Sequence, residues 1–136
     1  MGKLLLDEFL VKSYNSMGLT RVKTKITSLE GKKDVYESSF LVDTGAIDSM
    51  APEDELDKIG VNRLGKMAYE LADNTLKEYY YGLVRIEFMG ELTAGRIIFG
   101  EKQVEPLLGV TALESVGIMV DPANKILKRL PAISLK

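Results

Sequence analysis

Ser39-Phe40-Leu41-Val42-Asp43-Thr44-Gly45-Ala46 is the stretch on which the reading of this chain turns. Phe40, Leu41 and Val42 are aromatic and branched side chains that suit a pleated, covered surface, so they predict a buried strand. The strand ends in an acid, a hydroxyl and Gly45, whose missing side chain permits a tight backbone turn. The stretch therefore sets a carboxylate on a short loop at the end of a rigid strand. Taken alone, it is either a turn with Asp and Gly as turn formers or an acid held in place for chemistry.

Composition narrows that choice. The chain has 136 residues, enough for one domain with a real core. With 46% hydrophobic and 28% charged residues it is ordinary for a globular chain. It contains no Cys and no His. That excludes thiol and Ser-His-Asp chemistry, thiolate zinc sites and disulfides. Asp, Glu, Lys, Tyr and hydroxyl groups remain, so an enzyme of this composition would work through carboxylates. The net charge of -2, with no Lys/Arg cluster, gives no footprint for nucleic acid or an anionic membrane surface. No apolar run approaches the ~18 residues of a membrane span. Asp7 and Glu8 interrupt Lys3-Leu4-Leu5-Leu6, and the start lacks the Ser or Thr that myristoylation wants, so the expected address is cytoplasmic.

Upstream of the acid loop, Val22, Thr24 and Ile26 alternate with Arg21, Lys23 and Lys25, the period-two pattern of a half-buried strand. Glu30-Gly31-Lys32-Lys33 is a hairpin turn, and Val35 to Val42 returns to the acid. Downstream, Pro52 opens a short helix to Ile59. Glu53, Asp54 and Glu55 stand in its first turn, where the dipole favours anions, and Gly60 ends it. Met67 to Leu71 and Leu76 to Tyr81 are strand-like and flank the turn signal Ala72-Asp73-Asn74-Thr75. Leu83 to Phe88 predicts another strand, and Gly90 turns it into Leu92 to Phe99. Pro106-Leu107-Leu108-Gly109 is a second apolar strand ending in Gly, followed by a helix-like segment from Thr111 through Val116. Asp121-Pro122-Ala123-Asn124 is the last turn, and Lys125 to Leu130 a terminal strand. Many short strands with one or two short helices describe a small, mostly β, closed barrel. Residues 1–16 are set apart as an unassigned N-terminal extension to a domain over 17–136. Within them Leu4, Leu5, Phe9 and Leu10 fit a short helix, or a strand on a neighbouring chain.

Phe-Leu-Val-Asp-Thr-Gly-Ala resembles the active-site motif of aspartic proteases of the single-domain, retroviral type, the retropepsin-like family. The resemblance extends in order over roughly Leu19 to Leu130. It implies that Asp43 is catalytic, that Thr44 grips a partner chain beneath the acids, and that Gly45 leaves room for substrate, with Ala46 completing the motif. It further implies that Ala72, Asp73, Asn74 and Thr75 form the tip of a flap that closes over substrate, and that Leu108 and Gly109 buttress the acid loop. Asp48 matches a second acidic position that can touch substrate. The implied function is hydrolysis of peptide bonds, with peptides or proteins as substrates and no metal or cofactor.

That chemistry uses two carboxylates that share one proton across a water, one acting as base and the other as acid. The chain holds a single Asp-Thr/Ser-Gly: Asp48-Ser49 precedes Met50, Asp73 precedes Asn74 and Asp121 precedes Pro122. The second acid must then be Asp43 of another copy, so the expectation is a homodimer with its site on a twofold axis. Two departures from the viral pattern go together. An acid normally follows the Ala and an Arg follows the apolar-apolar-Gly, whereas here those positions are Ile47 and Val110. They are expected in or near contact, an ion pair replaced by two hydrophobes. Two alternatives stand beside the enzyme. One is an idle module of the same fold that binds or assembles; the other is a monomeric β domain with a chance motif.

Overall fold

Strict alternation of buried and exposed side chains lays out the sheet. In chain order the first elements are β1 (Glu8–Leu10), β2 (Arg21–Ser28), β3 (Tyr36–Asp43), β4 (Ser49–Pro52), α1 (Glu53–Lys58) and β5 (Gly65–Glu70). They are followed by β6 (Leu76–Phe88), β7 (Glu91–Gly100), β8 (Leu107–Gly109), α2 (Val110–Ser115), β9 (Ile118–Asp121) and β10 (Ile126–Arg129). The computed structural model describes residues 8–10, 20–31, 33–121 and 123–135. The Met17-Gly18 boundary, Lys32 in the first hairpin turn and Pro122 in the last lie outside them.

Six strands close into a barrel in the order β2-β3-β8-β4-β7-β6, with β6 pairing back to β2 through Ile26 opposite Ile86. The strand β5 hangs outside the ring as the hairpin partner of β6. Inside the ring, Thr24 and Ile26 of β2, Phe40 of β3, and Val84, Ile86 and Phe88 of β6 are buried, while Lys23, Lys25, Leu83, Arg85 and Glu87 are exposed. Leu108, Ile97 and Phe99 complete this core, and Leu56 of α1 and Leu113 of α2 cap it. Each large side chain removed from water here contributes about 1.5–3 kcal/mol. The barrel is therefore a stiff frame around the strand that carries Asp43.

Three features differ from the sequence expectation. First, Leu76 to Phe88 is one continuous strand of 13 residues, not two. Gly82 at its middle marks a close approach: a Cβ there would lie 2.6 Å from the carbonyl oxygen of Asn62. Second, Ser49–Pro52 and Ile118–Asp121 are strands that no local pattern announced. Third, Glu8–Leu10, inside the segment set apart as an extension, pairs antiparallel with β10 of its own chain and completes the small sheet β1-β10-β9. The rest of residues 1–16 lies outside the described residues. The two short helices start and stop within a residue of their expected limits, and Gly60 after α1 takes the left-handed φ of +80° that ends helices.

Candidate active site

Asp43 is the last residue of β3 and is half-buried at the strand end. Two neighbours fix the strand. The Leu41 amide donates to the Pro106 carbonyl at 2.9 Å, and the Val42 amide to the Thr20 carbonyl at 2.8 Å. Beyond Asp43 the chain doubles back: the Gly45 amide donates to Asp43 Oδ1 at 2.9 Å, and the Ala46 amide to the Asp43 carbonyl at 3.1 Å. Gly45 does not use a left-handed conformation. Its role here is closeness, since a Cβ on it would stand 3.3 Å from Asp43 Oδ1. The second carboxylate oxygen takes no hydrogen bond from the described residues, and the next two residues, Thr44 and Gly45, are exposed.

The loop rests on Leu108 and Gly109. β8 runs parallel to β3, with Leu108 beside Val42 and Gly109 beside Asp43. Leu108 is fully buried. Gly109 admits no side chain: a Cβ would lie 2.6 Å from the Ile47 carbonyl oxygen and from the backbone carbon of Asp48. That approach lets the Gly109 amide donate to Ser49 Oγ at 3.0 Å, the Val110 amide to the Ala46 carbonyl at 2.8 Å, and the Thr111 amide to the Ile47 carbonyl at 3.2 Å. The backbones at Ile47 and Val110 are thus stitched together. The Ile47 side chain, however, is 69% exposed, so no well-packed hydrophobic pair replaces an ion pair inside this chain.

Ala72 to Thr75 form the tip of the hairpin β5–β6, and all four are exposed. The Leu71 amide donates to the Thr75 carbonyl and the Asn74 amide to the Leu71 carbonyl, with Asn74 at a left-handed φ of 69°. Asp73 Oδ1 accepts from the Thr75 hydroxyl at 2.6 Å and the Thr75 amide at 3.0 Å, which holds the Asp73 carboxyl below its usual range. This side-chain turn does what glycines would otherwise do, and it needs none.

Two contacts tie the hairpin to the barrel. The Tyr69 hydroxyl donates to Asp48 Oδ2 at 2.9 Å, and burial, then that bond, push the Tyr69 phenol above its ordinary value. Lys77 pairs with Glu101, which also accepts from the Tyr79 hydroxyl at 3.2 Å. Residues that the sequence did not single out therefore make these contacts: Ser49, Tyr69 and Glu101. Ser49 is 2% exposed, a buried hydroxyl whose only local signal was its place after Asp48. Among the described residues, no three acidic side chains converge as a cation cage, and no helix is long and apolar enough to cross a membrane.

The chain thus combines a closed six-strand barrel with an Asp-Thr-Gly loop at the end of one strand, braced by an apolar-apolar-Gly strand. A crystal structure of a retropepsin-like aspartic protease from Rickettsia conorii matches this fold over 94% of this chain and 95% of that one, with a TM-score of 0.61 at 19% sequence identity. The fold is shared at that distance. Comparison of the sequence with protein-family models gave no match, nor did comparison with curated proteins.

Proposed function

We propose that this chain is an aspartic endopeptidase that works as a homodimer. One observation carries the reading: the sole Asp-Thr-Gly carboxylate stands at a strand end in a retropepsin-like barrel, with one oxygen held by Gly45 and the other open. In the dimer, Asp43 from each copy would face the other across a twofold axis. Two carboxylates that close cannot both ionise, so one proton is shared between them. The unprotonated member takes a proton from a bound water, which attacks the peptide carbonyl carbon. The protonated member donates to the carbonyl oxygen, giving a tetrahedral intermediate. Proton transfer to the leaving nitrogen then breaks the C–N bond. Thr44, exposed in one chain, is available to grip the partner. The β5–β6 hairpin would fold over the peptide as a flap and exclude water.

The test is cleavage of a mixed peptide library by the purified protein from about pH 4 to about pH 8, beside Asp43→Asn. Wild type should cleave with a bell-shaped pH dependence, and the variant should not cleave at all while keeping its fold and dimer. A wild-type preparation shown to be dimeric yet inert would overturn the peptidase reading in favour of a binding or assembly module. A monomeric one would remove the shared site altogether.

A further inference from the structure

With no Cys and no Trp, this chain leaves methionine as its most readily oxidised side chain. The methionines of the described residues differ in access. Met50 lies with its sulfur beside Gly100, where a Cβ would stand 2.9 Å from it, and Met89 packs against the barrel core. Met67 and Met119 are 39% and 47% exposed. Met67, on β5, stands among hydrogen-bond donors. The Arg96 guanidinium, on β7 of the barrel, touches its sulfur, and the Tyr69 hydroxyl lies 3.9 Å from it. Arg96 also bonds the Tyr69 oxygen and lies over the Tyr81 ring, 4.3 Å from the centroid. None of these partners is a carboxylate. A guanidinium carries five donors and a thioether is a weak acceptor, so the two are poorly matched as they stand.

We propose that Met67 is a reversible oxidation switch, whose sulfoxide fastens the outer strand of the hairpin to the barrel through Arg96. The oxidant is a peroxide. The sulfur lone pair attacks one peroxide oxygen as the O–O bond breaks and an S–O bond forms. The proton of that oxygen passes to the departing hydroxide, which leaves as water. Sulfur is oxidised by two electrons and the peroxide reduced by two. Methionine sulfoxide reductase reverses the change with electrons from thiols. The new oxygen is a good acceptor beside a cation, and a charge-assisted hydrogen bond is about twice as strong as a neutral one. Arg96 is half-buried, which shields that bond from water. The Tyr69 proton stays with Asp48 at 2.9 Å, so the new tie adds to the existing one. β5 joins the sheet along one edge only, as the partner of β6, so one further bond to β7 bears on how often it opens.

The experiment treats the purified protein with hydrogen peroxide and locates each added oxygen by peptide mass spectrometry. Hydrogen exchange at the Leu71 and Asn74 amides, which close bonds across the hairpin tip, is followed before treatment, after it and after the reductase. Met67 and Met119 should take up oxygen well before Met50 and Met89. With Met67 oxidised, exchange at both amides should slow several-fold, and the reductase should restore it. Met67→Leu should lose this response while Met119 still oxidises, and Arg96→Ala should lose it even with Met67 oxidised. Met67→Gln carries a neutral oxygen acceptor, so it should exchange slowly from the outset and ignore peroxide. Each comparison is a ratio within one protein, so a lower stability of one variant does not imitate the pattern. The switch is overturned if Met67 reacts only as slowly as Met50 and Met89, or if its oxidation leaves exchange unchanged or quickens it. The same response in Met67→Leu or in Arg96→Ala would overturn it too. No step of this test needs a substrate. A protein that shows the whole pattern yet cleaves no peptide would overturn the peptidase and leave the switch standing.

Discussion

The acid loop and the β5–β6 hairpin are held by different kinds of bond. The loop is laced by backbone amides, from Gly45 to Asp43, Val110 to Ala46 and Thr111 to Ile47, over a fully buried Leu108. Of the hairpin only β5 stands outside the ring, since β6 is itself a barrel strand, and the hairpin's outer half meets the barrel through side chains: Tyr69 to Asp48, and Lys77 and Tyr79 to Glu101. Peptide groups in a packed frame leave one arrangement. Long polar side chains at a surface can let go and re-form, each contributing little. The carboxylate is thus fixed by its backbone, whereas the outer half of the hairpin is fastened to the barrel by contacts that can break and re-form.

The largest expected effect tests the fixed side. Gly109→Ala pushes a methyl group against three backbone atoms of residues 47 and 48, which cannot rotate away as a side chain would. Overpacking of this kind costs about 3 kcal/mol, read from urea unfolding. A variant as stable as the wild type would show that the loop is not pinned by this contact. Gly95→Ala is the control, because a Cβ there meets nothing within 4 Å. Ser49→Ala comes next. It leaves the buried Gly109 amide without its acceptor, which costs about 1–3 kcal/mol. Because both changes act on one contact, the double variant should lose less than the sum.

Elements set by neighbours along the chain, on either side of that comparison, were the more legible ones in sequence. Phe40 to Val42 with Asp43, the first-turn acids of α1, Gly60 and the Ala72–Thr75 turn all act within a few residues, and each announced its element. What stayed hidden depends on distant partners. β4 is four residues long and ends in Pro52; it becomes a strand because β7 lies parallel beside it and Leu107 opposite Met50. Gly82 takes its meaning from the carbonyl of Asn62 against it. Tyr69 meets Asp48 from 21 positions away, and Glu101 meets Lys77 from 24. No periodicity reports such pairs. The order of motifs revealed the frame, whereas the ties between hairpin and barrel required coordinates.

A smaller effect tests the hairpin. Lys77→Met removes the partner of Glu101 at an exposed site, so global stability should stay within the error of an unfolding titration. Hydrogen exchange at the Leu71 and Asn74 amides should nevertheless quicken, while Val110 and Thr111 stay protected. Equal change at both pairs would mean that hairpin and loop open as one unit.

The smallest effect is the pH dependence of that same contrast. Pairing with Lys77 holds the Glu101 carboxyl below its ordinary 4.5, and the Thr75 hydroxyl and amide hold Asp73 below its ordinary 3.8. A carboxylate whose folded pKa is depressed contributes its full share above the unfolded value and loses it as pH falls through the folded one. The Lys77–Glu101 tie therefore weakens as pH falls below about 4.5, and the Asp73 turn at the hairpin tip as it falls below about 3.8. The amide-to-carbonyl bonds from Val110 and Thr111 contain no titrating group, and nothing equivalent loosens them over the same range. Exchange rates corrected for their intrinsic pH dependence, followed from about pH 6 to about pH 3, should thus rise several-fold at Leu71 and Asn74. Val110 and Thr111 should hold. If all four amides rose together, side-chain ties would not be what fastens the hairpin. If none rose, the hairpin would be held by backbone and apolar contacts, and it could open only by breaking the same sort of bond that fixes the acid.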